Sequence, residues 1–150
     1  MLLLRMIFGK LEIWQWLLAA AVLIPSAVRD IRTKRINGYI IIIGILTALS
    51  IREILLGQSS LRLLIDMLPG AFMLAVAFFS RERIGKGDAL MLIFVGALAG
   101  AETVLFAMFV SMMIAAVLST VLLVLRKVKR DTKIPFIPFL SIGVIAGGLL

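Results

Sequence analysis

Two aspartates, Asp30 and Asp88, are the residues of this sequence best placed to do chemistry. Asp30 closes the apolar run "LLAAAVLIPSAVR", and Asp88 opens "ALMLIFVGALAG" behind Gly85-Lys86-Gly87. A charge at the edge of hydrocarbon is costly unless something offsets the cost. Two carboxyls a few ångströms apart cannot both ionise easily, so they share a proton. One can then act as base on a water while the other donates to a carbonyl oxygen. That is the chemistry of aspartic proteases, and it needs no histidine, metal or cofactor. The point matters because the sequence contains neither histidine nor cysteine. Imidazole bases, the Ser-His-Asp triad, thiolate metal sites and disulfides are all excluded.

The other acids have plainer readings. Glu82 lies between Arg81 and Arg83, Asp131 lies in a basic run, and Glu53 follows Arg52. Asp66 stands four residues after Arg62, a pairing distance on a helix. Asp30 and Asp88 have plain readings too. Asp88 would serve as a helix N-cap, and Asp30 as a neutraliser among arginines. The glycines allow a second reading beside these. Gly85 and Gly87 permit positive φ and close backbone approach, so a peptide laid along Gly85, Lys86 and Gly87 could hydrogen-bond to the loop. Helix dipoles favour charge on Asp88, at a helix start, and the proton on Asp30, at a helix end.

The elements that must position these residues are membrane spans. The chain has 150 residues, allowing one domain over 1–150. It is 63% hydrophobic and 16% charged, with mean hydropathy +1.18, whereas soluble domains are nearer half apolar and a quarter charged. Apolar runs occupy about 11–29, 38–56, 61–80, 88–100, 103–125 and 134–150, most of them long enough to cross about 30 Å of hydrocarbon. They are continuous rather than alternating, so the expected fold is all-α, a polytopic bundle of six transmembrane helices. The opening "MLLLRMIFGK" lacks the length and cleavage site of a signal peptide and is expected to be retained.

Basic residues mark alternate loops. Arg29, Arg32, Lys34 and Arg35 follow the first run, Arg81, Arg83 and Lys86 the third, and Arg126, Lys127, Lys129, Arg130 and Lys133 the fifth. The intervening loops hold only Arg52 and Arg62. This places the basic loops in the cytoplasm and both termini outside. The net charge of +8 is then a topology signal with anionic lipid contact beside it. No aromatic residues interleave with the basic runs, which argues against nucleic acid. The same topology sets Asp30 and Asp88 at one membrane depth, near the cytoplasmic face. A small transporter or channel component binding a proton or cation at this pair is the alternative reading.

Taken together, "DIRTKRIN" after the first run, "GKGD" before the fourth and "KIPFIPFLSIG" opening the last resemble the prepilin peptidases. This family of six-helix G-x-G-D intramembrane aspartyl proteases includes the preflagellin peptidases. The resemblance covers essentially the whole chain. It implies removal of a short basic leader from type IV pilin-like precursors at the cytoplasmic face, just before the precursor's hydrophobic helix. It makes Asp30 and Asp88 the catalytic pair, sets Gly85 and Gly87 on the motif glycines, and matches Arg32 to a basic residue two positions after the first aspartate. Pro135, Phe136, Pro138 and Phe139 match a Pro-Phe run near the last helix. Asn37 is carried as a further candidate substrate contact, although many relatives have Ile-Pro-Asn where Ile36 here runs directly into Asn37. Larger relatives carry a zinc-binding cysteine domain linked to N-methylation. This chain has no cysteine, so the expected activity is that of the peptidase alone. Pili, archaella, secretion and competence systems, and the oligomeric state, stay open at this level.

Overall fold

The computed structural model of the chain describes residues 13–33, 38–79, 85–125 and 136–149. Among them every regular element is helical: α1 (Ile13–Thr33), α2 (Gly38–Ser50), α3 (Ser60–Phe79), α4 (Lys86–Ala99), α5 (Ala101–Val124) and α6 (Ile137–Leu149). Each apolar run read from the sequence holds one helix. A π-helical turn, Ile51–Leu55, extends α2.

The fourth and fifth runs are divided at a single residue. Gly100 adopts φ +89°, a conformation that costs a side-chain-bearing residue free energy. Its N–H donates to the Gly96 carbonyl at 3.0 Å and its carbonyl accepts from Val104 N–H at 3.2 Å. One residue therefore ends α4 and begins α5.

The helices divide into a buried rod and its surroundings. In α4, Ala89 and every residue from Met91 to Leu98 are buried. A helix apolar and covered on all sides belongs at the centre of a bundle. It packs most broadly against α3 and α2, while α6 packs against α5 and α1. Small residues allow the close approach. A Cβ on Gly70 of α3 would run into the Ile93 backbone, and one on Gly143 of α6 into the Ala107 carbonyl. Without water to drive apolar side chains together, such small-residue contacts are how helices gain van der Waals contact in lipid.

Apolar side chains also face outward. Leu64, Leu68 and Phe72 of α3 and Leu105, Phe109, Met113 and Val117 of α5 are all exposed. With 20 and 24 residues, α3 and α5 are each long and apolar enough to cross a membrane. At about 1.5 Å per residue they reach roughly 30 and 36 Å. A continuous apolar exterior of this extent has lipid as its natural solvent, and the chain is a membrane protein. The sequence led to six spans; six helices are present, of which these two satisfy the crossing criterion on length and composition.

Candidate active site

Antiparallel packing brings the last turn of α1 and the first turn of α4 to the same end of the bundle. Asp30 is buried there, and its carboxyl and that of Asp88 are close enough for each to feel the other's charge. Asp30 Oδ2 accepts a hydrogen bond from the backbone N–H of Ile137, in the first turn of α6, at 3.2 Å. Three helix ends thus converge on two carboxyls. Two carboxyls of this kind, set close together, are the side chains that hydrolysis of an amide by activated water calls for.

Local geometry around Asp88 revises two expectations. The N-cap of α4 is Gly85, so Asp88 occupies the third helical position rather than the cap. Its own N–H donates to the Gly85 carbonyl at 3.1 Å. Gly85 has φ −64°, so the glycine is not there for positive φ. It is there for space, since a Cβ would stand 2.7 Å from Asp88 Oδ2. The carboxylate folds back over Gly85, so a side chain there would push it aside.

The dipole argument for Asp30 gains a second helix. Asp30 lies in the last turn of its own helix, but it also meets the N-terminus of α6. The two helix dipoles act on it in opposite senses.

The remaining candidates are spread around this end. The Lys86 ammonium lies 5.1 Å from the centroid of the Phe78 ring, a cation–π contact that ties the start of α4 to the end of α3. Gly87 is half-buried, and Arg32 is exposed on the last turn of α1. Asn37 and Pro135 lie outside the described residues, whereas Phe136, Pro138 and Phe139 bracket the start of α6. Ser26, one turn before Asp30 on α1, is buried, and its hydroxyl has no hydrogen-bond partner among the described residues.

Sequence reasoning missed a second cluster at the opposite end of α4. Arg52, in the π-helical turn, is buried and donates from Nη2 to Asp66 Oδ2 at 2.6 Å. It also donates from Nη1 to the carbonyls of Gly96 and Ala97 at 3.2 and 3.1 Å, and from Nε to Gln58 Oε1 at 2.8 Å. Asp66 Oδ1 accepts from Ala101 N–H at 3.2 Å. Arg62, the partner expected from spacing, stands 3.9 Å from Asp66 with its side chain 70% exposed. Glu53 instead accepts from Ser60 Oγ at 2.6 Å. The available signal was two opposite charges, Arg52 and Asp66, each set next to apolar residues of the hairpin.

No curated protein and no solved structure matches this chain. A family model described as the type IV leader peptidase family matches residues 17–120. That region takes in Asp30, the Gly85–Asp88 segment and the Arg52–Asp66 cluster. With this match over most of its length, and with paired aspartates where three helix ends meet, the chain belongs to the type IV leader peptidase family, a family of aspartic-type intramembrane peptidases.

Proposed function

We propose that this chain is a multi-pass membrane endopeptidase that removes the short basic leader of type IV pilin-like precursors at the cytoplasmic face. A single membrane-embedded domain carries the reaction, with Asp30 and Asp88 as the catalytic pair. The observation that carries this reading is the meeting of those two carboxyls at one end of α1 and α4. In the reaction, the ionised carboxylate takes a proton from water as its oxygen attacks the scissile carbonyl carbon. The protonated carboxyl donates to the carbonyl oxygen, giving a tetrahedral intermediate. Collapse breaks the C–N bond as the amine nitrogen receives a proton, leaving a free carboxyl on the leader and a free amine on the mature protein.

The Gly85-Lys86-Gly87 segment, Arg32 and Asn37 are assigned to holding the extended peptide around the cut. The alternate placing of basic loops supports an orientation with this end in the cytoplasm and both termini outside. The precursor's leader is basic, as is this face, so charge weakens encounter. Confinement of both molecules to one bilayer compensates by raising effective concentration.

The test is co-expression of a pilin-like precursor with wild type, Asp30→Asn or Asp88→Asn, with leader loss followed by gel shift. Cleavage is expected with wild type alone. Cleavage that persists in either variant refutes the pair.

A further inference from the structure

We propose that the backbone N–H of Ile137 is a positioning group for the reaction, holding Asp30 in register for its partnership with Asp88. The proposal rests on the reading of those two aspartates as the catalytic pair. It concerns a segment beyond the family match, which ends at residue 120.

Four observations carry it. The hydrogen bond from Ile137 N–H to Asp30 Oδ2, 3.2 Å long and buried, joins residues 107 positions apart in the chain. The donor is one that the helix cannot use itself, because the first N–H groups of a helix have no intrahelical acceptor. Leu140 N–H donates to the Phe136 carbonyl at 3.0 Å, which makes Phe136 the N-cap and Ile137 the first helical residue. Next, Pro138 has no N–H and fixes its own φ. The opening turn is thereby preset and one competing donor is removed.

The donor is also held still. The Ile137 side chain is fully buried. Ser111 of α5 donates to the Phe139 carbonyl at 3.2 Å, and Gly143 lets α6 lie directly on the α5 backbone at Ala107. A donor fixed by packing orients a carboxylate without having to be ordered during the reaction. The first turn of α6, from Phe136 to Phe139, therefore acts on Asp30 through the Ile137 amide.

The test compares Ile137→Pro with Ile137→Ala in the full chain, in lipid vesicles, with a purified pilin-like precursor. Proline is well suited to the first helical position, and the N-cap before it is typically extended, as a residue preceding proline prefers. Both variants lose the buried side chain, but only proline loses the N–H. The expected result is a kcat for Ile137→Pro lower than that of Ile137→Ala by about tenfold or more, with KM alike. Equal kcat values, with Asp30→Asn inactive, overturn the positioning role alone. Cleavage by Asp30→Asn overturns the catalytic pair instead. If Ile137→Pro fails to fold, hydrogen exchange of the Ile137 amide decides. It should quicken about tenfold or more in Asp30→Ala relative to wild type, and an unchanged rate refutes the proposal.

Discussion

Removing the Arg52 side chain should cost far more stability than neutralising its partner Asp66, although the two form one ion pair. The reason lies in what each leaves behind. Arg52→Ala strands a buried carboxylate. Asp66 would retain the Ala101 N–H and only the exposed, distant Arg62. It would also take one donor from each of the Gly96 and Ala97 carbonyls at the end of α4, although Gly96 keeps the Gly100 N–H. Breaking a buried pair from one side costs about 3–5 kcal/mol. Asp66→Asn leaves the guanidinium with both of those carbonyls and Gln58, and an amide oxygen can still accept from Ala101. The loss there is about 1–2 kcal/mol, the scale of one weakened hydrogen bond.

Replacing both residues by apolar ones, Arg52→Met with Asp66→Leu, should cost less than Arg52→Ala alone, because no charge is left uncompensated. Denaturant unfolding in detergent micelles, followed by far-ultraviolet circular dichroism, measures all three on one scale. The reasoning is refuted if Arg52→Ala costs no more than Asp66→Asn, or if the double variant is the least stable of the set.

Two further substitutions separate stability from catalysis. Gly85→Ala should lower kcat by about tenfold or more, since a displaced carboxylate loses its reaction geometry, while the melting temperature hardly moves because an exposed N-cap is being changed. Steady-state cleavage beside a thermal melt checks it, and unchanged kcat would refute the spatial role given to Gly85. Ser26→Ala should raise stability by about 1 kcal/mol, because it removes a buried hydroxyl that has no partner among the described residues. The same unfolding titration reads it, and a loss of stability would show that the hydroxyl is paired after all.

The helices were legible because each is written as one apolar run, closed by glycine or by a cluster of basic residues. That Asp30 and Asp88 lie at one end of the bundle was legible for a geometric reason: helices one and four run in opposite directions, so the end of one meets the start of the other. Local rules fell short where a contact depends on facing. The four-residue rule joined Asp66 to Arg62, which does stand 3.9 Å away, but it gave no sign of the closer, buried Arg52 at 2.6 Å, because Asp66 turns toward the corner between α4 and α5. The π-helical turn closes with Leu56 N–H donating to the Ile51 carbonyl at 3.2 Å. An i→i+5 turn changes the direction in which the residues around it point, and here Arg52 points inward. No sequence window spans the 107 positions between Ile137 and Asp30. The positive φ expected of Gly85 is absent, and what the glycine does instead is make room for the Asp88 carboxylate.

The two polar clusters stand at opposite ends of α4, and that arrangement explains how a rod of 14 residues can hold a carboxyl in place. At about 1.5 Å per residue, α4 is roughly 21 Å long. Its far end is held by Arg52 through two carbonyls and by Gln15, whose side chain donates to the Leu98 carbonyl at 2.5 Å. Its length is buried among α2 and α3. Asp88 therefore inherits its position from a rod anchored elsewhere. Asp30 inherits its own from α1, α6 and the Ile137 amide, a different group of contacts. The pair sits on the seam between these two groups, where α4 makes fewer contacts with α1 and α6 than with α3. Changes at the Arg52 cluster should consequently register first as lost stability, and changes at the seam as lost turnover.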